Sequence, residues 1–210
     1  MYYDRIDAGL SLAKELMKYK NDPGVVLAVP RGGVPIAYYV AVQLGFPLDL
    51  LLTKKIGHPG NSEYAIGAVS LTDRYVVQHE GVSQEYIEAE TLRIRKKLKE
   101  MYEKFMGDKD PEPIKNKTVI IIDDGVATGN TLLSTISMLK KGGPSKIVIA
   151  VPVASRNAIE KLSGKVDEIV CPLVPDTFYG VGGFYKNFEQ VSDDEVMMYL
   201  NKFNELRKTG

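Results

Sequence analysis

Cysteine and histidine are scarce in this sequence. Its 210 residues include one cysteine, Cys171, and two histidines, His58 and His79. A single cysteine cannot form an internal disulfide, which is typical of proteins in a reducing compartment. A zinc site of the usual spacing would need more cysteines and histidines than these. Because Cys171 lies in an apolar run, we interpret it as a core residue and not as a nucleophile.

The sequence also lacks an excess of charge and a long apolar run. Lys plus Arg and Asp plus Glu number 27 each, so no basic field favours a nucleic-acid partner. No apolar stretch approaches the length that crosses a membrane, and the first residues, M-Y-Y-D-R-I-D, do not resemble a signal peptide. We therefore expect a cytoplasmic protein without a nucleic-acid or membrane partner. The densest basic run, residues 93–99, is interpreted as a solvated helix face.

Apolar runs and helical stripes alternate along the chain. The pattern predicts five strands, at about residues 25–29, 48–53, 118–123, 147–153 and 167–173, with helical segments between them. This order predicts an α/β fold: a doubly wound, mainly parallel five-stranded sheet with helices on both faces. No linker is visible, so residues 1–210 are predicted to form one domain. Its small C-terminal hood would consist mainly of residues 174–190, together with the N-terminal segment.

The most informative stretch is residues 118–131, T-V-I-I-I-D-D-G-V-A-T-G-N-T. A β-branched run ends in Asp123 and Asp124, whose carboxylates can accept hydrogen bonds from two neighbouring ribose hydroxyls. Backbone amides of the following loop can form a nest at a helix N-terminus, which favours an anion. A P-loop would need Lys where Asn130 stands, and a dinucleotide fingerprint would place its acid after the loop. The predicted loop residues are Gly125, Val126, Ala127, Thr128, Gly129, Asn130 and Thr131.

These residues resemble the phosphoribosyl-diphosphate (PRPP) motif of the type I phosphoribosyltransferases: four apolar residues, two acids, a small loop and T-G-x-T. The resemblance implies transfer of the 5-phosphoribosyl group of PRPP to a nitrogenous base, with release of pyrophosphate. In this interpretation Asp123 and Asp124 hold the ribose and favour the developing sugar cation, while the loop holds the 5′-phosphate. Mg²⁺ would be bound mainly through PRPP, pyrophosphate and water oxygens, with no dedicated protein ligand set.

Two further segments fit a pyrophosphate pocket. Arg31, Gly32 and Gly33 follow the first predicted strand; Arg31 can bind phosphate oxygens in a bidentate way, and the glycines permit close backbone approach. By resemblance this is the family's pyrophosphate loop, which often holds an unusual cis peptide. Lys54 and Lys55 end the second strand, where the family commonly places a basic residue. Because neighbours on a strand point to opposite faces, we expect one of the two to face pyrophosphate, and the choice stays open.

Residues 56–66 resemble the family's mobile lid, and K-K-I-G-H-P-G followed by E-Y is most similar to adenine phosphoribosyltransferases. Carried over, Glu63 would be the general acid/base and Tyr64 a lid contact; a solvated Glu and a partly packed Tyr are the competing interpretation. Ala127 stands where hypoxanthine-guanine enzymes carry an acid, which argues against that substrate class. Four aromatic residues of segment 175–185 could stack on the base: Phe178, Tyr179, Phe184 and Tyr185.

Several alternatives stay open at this point. Only the adenine-like lid favours a particular base, adenine, and with it a place in purine salvage within nucleotide metabolism. Transfer to an amine that is not a nucleobase fits the same motif. A PRPP-sensing regulator without transferase activity is the alternative from another class, although no DNA- or RNA-binding element accompanies the motif. The oligomeric state, including a homodimer, is not determined by the sequence.

Overall fold

Strands and helices alternate along the chain. The computed structural model describes residues 1–209, with side chains through residue 208. The strands are β1 (Gly24–Ala28), β2 (Leu48–Leu50), β3 (Thr53–His58), β4 (Asn61–Ser70), β5 (Arg74–Val76), β6 (Thr118–Ile122), β7 (Lys146–Ala150) and β8 (Glu168–Val170). The helices are α1 (Arg5–Leu16), α2 (Gly33–Leu44), α3 (Gln84–Met106), α4 (Asn130–Lys141), α5 (Arg156–Leu162) and α6 (Asp193–Thr209), with 3₁₀ turns at Met17–Tyr19 and Val181–Phe184.

Five of the strands form one parallel sheet, in the order β2-β1-β6-β7-β8. Strand β1 lies between β2 and β6, with Val26 aligned to both Leu48 and Ile120. The chain leaves β1 and β6 at neighbouring carboxyl ends, where open α/β sheets bind their ligands. The predicted fold class is confirmed, although β2, β7 and β8 are shorter than the sequence pattern predicts.

Helices cover both faces of this sheet. Alternate residues of a strand point to opposite faces, so Val26 and Ala28 of β1 join one core cluster while Val25 and Leu27 join the other. The first cluster contains residues of α1, α2, α3 and α6; the second contains residues of α4 and α5. The continuous apolar runs in the sequence are therefore strands that are buried from both sides.

A second, antiparallel sheet has the order β3-β4-β5 and contains the predicted lid. Residues 56–66 have no clear period in the sequence, but the structure folds them into the β3–β4 hairpin. The hairpin register shifts on both sides of Gly57, and residues 61–65 are all exposed. Without a buried face there is no alternation of apolar and polar residues to mark a strand. Its role as a lid stays a prediction.

The N-terminal segment pairs with the predicted hood. The Tyr2 amide donates to the Phe184 carbonyl at 2.9 Å, and the Lys186 amide donates to the Tyr2 carbonyl at 2.9 Å. The Tyr2 hydroxyl also donates to the Pro152 carbonyl beyond β7. These contacts bring residues 1–5 to the carboxyl edge of the sheet. In the described residues, no helix combines the length and apolar character needed to span a membrane.

Candidate active site

The two predicted ribose-binding carboxylates lie directly after β6, at the carboxyl edge of the sheet. Asp123 and Asp124 are both partly exposed, and the Asp124 amide donates to Asp123 Oδ1 at 2.8 Å. Burial, and next the neighbouring Asp124 carboxylate, raise the pKa of Asp123 well above its ordinary value. Protonation of Asp123 therefore begins at a higher pH than for a solvated aspartate.

Asp124 is held from two sides by residues that are distant in sequence. Arg5, the first residue of α1, donates from Nε and Nη2 to Asp124 Oδ2 at 3.0 and 2.8 Å. The Tyr185 hydroxyl donates to the Asp124 carbonyl at 2.6 Å, and burial raises the pKa of this phenol. Tyr185 is itself buried against Tyr2 and Phe188, so it is not one of the exposed rings that could stack on a base.

The loop after β1 packs tightly against the carboxylates, and its Pro30–Arg31 peptide bond is cis. A Cβ added to Gly32 would lie 1.9 Å from Asp124 Oδ2. One added to Gly33 would lie 2.6 Å from the Ile122 carbonyl oxygen and 3.0 Å from Asp123 Cα. The two glycines are therefore required by close approach, and the predicted pyrophosphate loop and PRPP motif form one surface.

Arg31 forms an exposed ion pair at the rim of this surface. Its Nη1 lies 3.3 Å from Asp193 Oδ1, at the start of α6, and Lys104 Nζ lies 2.6 Å from Asp193 Oδ2. Lys104, and more weakly Arg31, lower the pKa of Asp193. Exposed pairs of this kind stabilise a protein by less than about 1 kcal/mol, so Arg31 can leave Asp193 for an anionic ligand.

The loop after Asp124 is supported by the start of α5. Ser155 Oγ donates to the Ala127 carbonyl at 2.6 Å, and the Val126 amide donates to the Val153 carbonyl at 3.0 Å. Gly129 has φ +71°, which glycine adopts without strain and which turns the chain into α4. The predicted nest comprises the amides of residues 126–131. Because the Val126 amide already donates to Val153, this prediction is corrected: the amides that can meet a phosphate are those of residues 127–131.

The exposed part of the loop carries the predicted hydroxyls. Thr128, Asn130 and Thr131 are exposed at the N-terminus of α4, whose dipole favours an anion. Asn130 Oδ1 accepts from Lys161 Nζ at 2.9 Å, so a cation of α5 also stands beside the loop. A Cβ on Gly125 would lie 2.5 Å from Val181 Cγ1, which shows how closely the hood packs on this loop.

The predicted base-binding residues of the hairpin point into solvent. Glu63, whose side chain is 86% exposed, pairs with Lys55 Nζ at 2.9 Å, and this contact lowers the pKa of Glu63. Lys54 is also exposed. Because Lys54 and Lys55 are adjacent in β3, their side chains point to opposite faces of the strand. Tyr64 lies between His58 and His79, with ring centroids 6.1 and 5.4 Å away. The structure does not bring Glu63 into contact with residues 123–131.

The predicted aromatic wall is partly packed. Phe178 stacks on Phe184, with centroids 5.4 Å apart and an interplanar angle of 27°, whereas the Tyr179 side chain is almost fully exposed. Asp176 forms an exposed ion pair with Arg156 at 2.8 Å. Tyr179 is therefore the ring of this segment that is free to meet a ligand.

No dedicated metal site is visible in residues 1–208: no group of three or more His, Cys, Asp or Glu side chains could hold an ion. Cys171 packs against the core cluster of α4 and α5, and burial raises the pKa of its thiol to about 11. At neutral pH Cys171 is therefore a protonated thiol and a poor nucleophile.

Comparison with known proteins identifies the family. The sequence profile of the phosphoribosyl transferase domain matches residues 3–189. The chain belongs to this family. The crystal structure of TT1426 from Thermus thermophilus is 37% identical in sequence and superposes with a TM-score of 0.84, over 97% of this chain and 99% of that one. The predicted family is confirmed; the adenine-like lid stays a prediction.

The relatives differ in how much of their length this chain covers, and one of their names states an acceptor. A Mycobacterium tuberculosis protein provisionally named a phosphoribosyl transferase is 37% identical over 207 residues, which cover 96% of this chain. The chain spans less than half, 47%, of that relative's length. A uracil phosphoribosyltransferase from Mycoplasma genitalium is 35% identical over 102 residues, 47% of this chain and 44% of that protein.

Sequence reasoning missed three supports of the site: Arg5, Tyr185 as an anchor of Asp124, and Ser155. Each acts on the motif through a contact that links distant parts of the chain, up to 119 residues apart for Arg5. The residue type of Arg5 offers one local signal, because a cation is unfavourable in the first turn of a helix. An anion from elsewhere in the fold offsets this cost, as Asp124 does for Arg5.

Proposed function

We propose that this protein transfers the 5-phosphoribosyl group of PRPP to a nitrogenous base and releases pyrophosphate. The observation that carries the proposal is the junction of two loops at neighbouring strand ends. Gly32 and Gly33 of one loop lie against Asp123 and Asp124 of the other, closely enough that neither glycine has room for a methyl group. A ribose held by the carboxylates would thus have its anomeric substituent beside the cis loop.

The mechanism starts with orientation of the sugar. The amides of residues 127–131 and the hydroxyls of Thr128 and Thr131 bind the 5′-phosphate at the N-terminus of α4. Asp123 and Asp124 accept hydrogen bonds from the ribose 2′- and 3′-hydroxyls, which fixes the ring relative to the leaving group. As pyrophosphate departs, the anomeric carbon becomes cationic, and the two carboxylates stabilise that charge.

Negative charge develops on the departing pyrophosphate. Arg31 exchanges Asp193 for a pyrophosphate oxygen, and one of Lys54 and Lys55 supplies a second cation. The carboxylate oxygens of Asp123 and Asp124 suit a hard cation bound through water, so the residues present fit Mg²⁺ carried by PRPP. Bound there, Mg²⁺ would neutralise pyrophosphate charge.

The acceptor is proposed more narrowly as a nucleobase, with adenine as the first base to test. Ala127 offers no acid to a purine imidazole, so proton transfer has to come from elsewhere. Glu63 is the first candidate for this proton transfer; its pairing with Lys55 lowers its pKa and makes it a weaker base, so release from Lys55 would be part of its activation. Activity with adenine would place the protein in purine salvage.

A panel of bases incubated with PRPP and Mg²⁺ tests the proposed function. We expect pyrophosphate release with at least one base, and adenine is the first candidate. Calorimetric titration with PRPP alone separates the failures. If PRPP binds but no base causes pyrophosphate release, the protein is a PRPP-sensing protein and not a transferase. If PRPP does not bind, the site assignment is wrong.

Glu63→Gln tests the lid assignment. We expect the transfer rate to fall by about 100-fold while the Kd of PRPP changes less than about threefold, because general base catalysis contributes roughly 10²–10⁴-fold. The matched control is Glu103→Gln, another exposed glutamate paired with a lysine, in this case Lys99 of α3. Steady-state kinetics with the best base measure both variants. A Glu63→Gln enzyme with normal turnover would remove Glu63 from the mechanism.

A further inference from the structure

Arg5 is the most constrained cation near the proposed site. Its guanidinium donates twice to Asp124 Oδ2 and once, from Nη1 at 2.7 Å, to the Glu189 carbonyl. The Arg5 Cζ lies 3.9 Å from the centroid of the Phe188 ring, and only 11% of the side chain is exposed. Contacts at the edge and on the face of the guanidinium therefore fix its orientation.

The position of Arg5 is unfavourable for local structure. Arg5 is the first residue of α1, after the N-cap Asp4, where the helix dipole favours anions over cations. A residue that conflicts with its own helix and is nearly buried is expected where function or long-range structure requires it. The long-range requirement here is Asp124, and the Phe188–Glu189 segment completes the pocket for Arg5.

The hydrogen bonds of Arg5 leave one oxygen of Asp124 available. Both bonds go to Oδ2, the oxygen that also lies closest to Gly32, and neither goes to Oδ1. Arg5 thus fixes the carboxylate by one oxygen and presents the other. It also places a positive charge beside two adjacent carboxylates, which offsets part of their mutual repulsion.

We propose that Arg5 is a positioning residue: it holds Asp124 so that Oδ1 receives a ribose hydroxyl of PRPP. This inference rests on the proposed function, because the ribose is the ligand. It assigns to α1 and the hood a part in binding the sugar.

The test compares Arg5→Gln and Arg5→Lys with wild type, using the Kd of PRPP from calorimetry without acceptor. We expect Arg5→Gln to raise the Kd by about 10- to 100-fold, as for loss of a charged hydrogen-bond partner. Arg5→Lys keeps the charge and should recover part of the affinity. Arg93→Gln is the matched control, since Arg93 uses the same two nitrogens on Glu90, on the exposed face of α3.

Comparison of the two Arg5 variants separates positioning from simple loss of fold. Lysine keeps the charge but has one side-chain nitrogen, so it cannot reproduce the two bonds from Nε and Nη2 to Asp124 Oδ2. Arg5→Lys should therefore bind PRPP more tightly than Arg5→Gln and more weakly than wild type. Thermal unfolding of the same samples reports the fraction folded. Arg5→Lys provides a readout if Arg5→Gln unfolds.

Weaker PRPP binding by folded Arg5→Gln, with partial recovery in Arg5→Lys, supports the positioning role. An unchanged Kd in both Arg5 variants, or a lower melting temperature without a change in Kd, would show a purely structural pair. Tighter PRPP binding would mean that Arg5 competes with the ribose for Asp124. Wild-type protein that binds no PRPP would overturn the proposed function together with this inference.

Discussion

Replacing Asp123 and Asp124 together by Asn is expected to weaken PRPP binding by about 100- to 10,000-fold and to abolish pyrophosphate release. The double variant loses two charged hydrogen bonds to the ribose, at about 1.5–3 kcal/mol each, and about 1.4 kcal/mol corresponds to a factor of ten. It also loses the negative charge that stabilises the cationic sugar. Titration with PRPP and a pyrophosphate-release assay measure the two effects separately.

The single variants show whether the protein stays folded, because the two carboxylates differ in their partners. Asp123→Asn removes a carboxylate whose raised pKa means that the folded state binds its proton more tightly than the unfolded chain. Wild-type stability therefore rises as the pH falls through that pKa, and the variant should lose this dependence without losing stability at neutral pH. Denaturant unfolding at several pH values measures it.

Asp124→Asn should behave differently because it leaves Arg5 without its ionic partner. We expect a loss of about 2–4 kcal/mol in the free energy of unfolding, as when one member of a largely buried pair is removed. Asp123→Asn is therefore the cleaner probe of the ribose site. A folded Asp123→Asn protein that binds PRPP with wild-type affinity would contradict the site assignment.

The sequence was most informative where the structure depends on local order. Residues 118–131 predict a buried strand, two acids and a helix N-terminus because each property belongs to consecutive residues. The five strands follow from their apolar runs for the same reason. The hidden features are those with no local pattern: the β3–β4 hairpin lacks a buried face along residues 61–65, so its strands show no alternation.

The supports of the site were invisible for a related reason. Arg5 and Asp124 are 119 residues apart, and nothing near residue 5 indicates which anion its guanidinium meets. Tyr185 was predicted as a stacking ring because it lies in an aromatic-rich loop, but its burial and its hydrogen bond to Asp124 arise only in the assembled fold. Sequence patterns thus identified the groups proposed to touch PRPP, and the fold revealed those that hold them.

Gly32→Ala is expected to have the second-largest effect, a loss of about 100-fold in PRPP affinity. The backbone at Gly32 has φ −60°, which alanine adopts readily, so any effect comes from contact and not from backbone strain. The new methyl group would lie 1.9 Å from Asp124 Oδ2, and Arg5 prevents that carboxylate from moving aside. The variant must therefore displace the cis loop or the carboxylate, and either change separates the proposed ribose and pyrophosphate sites.

Gly142→Ala is the matched control for this steric effect. Its methyl group would lie 2.6 Å from Ile114 Cδ1, at the C-terminal end of α4, far along the helix from the phosphate loop. Overpacking costs about 1–3 kcal/mol, so both variants should lose comparable stability by denaturant unfolding. Only Gly32→Ala should lose PRPP affinity and turnover. Equal losses of affinity in both variants would mean that reduced stability, and not the junction of the two loops, explains the effect.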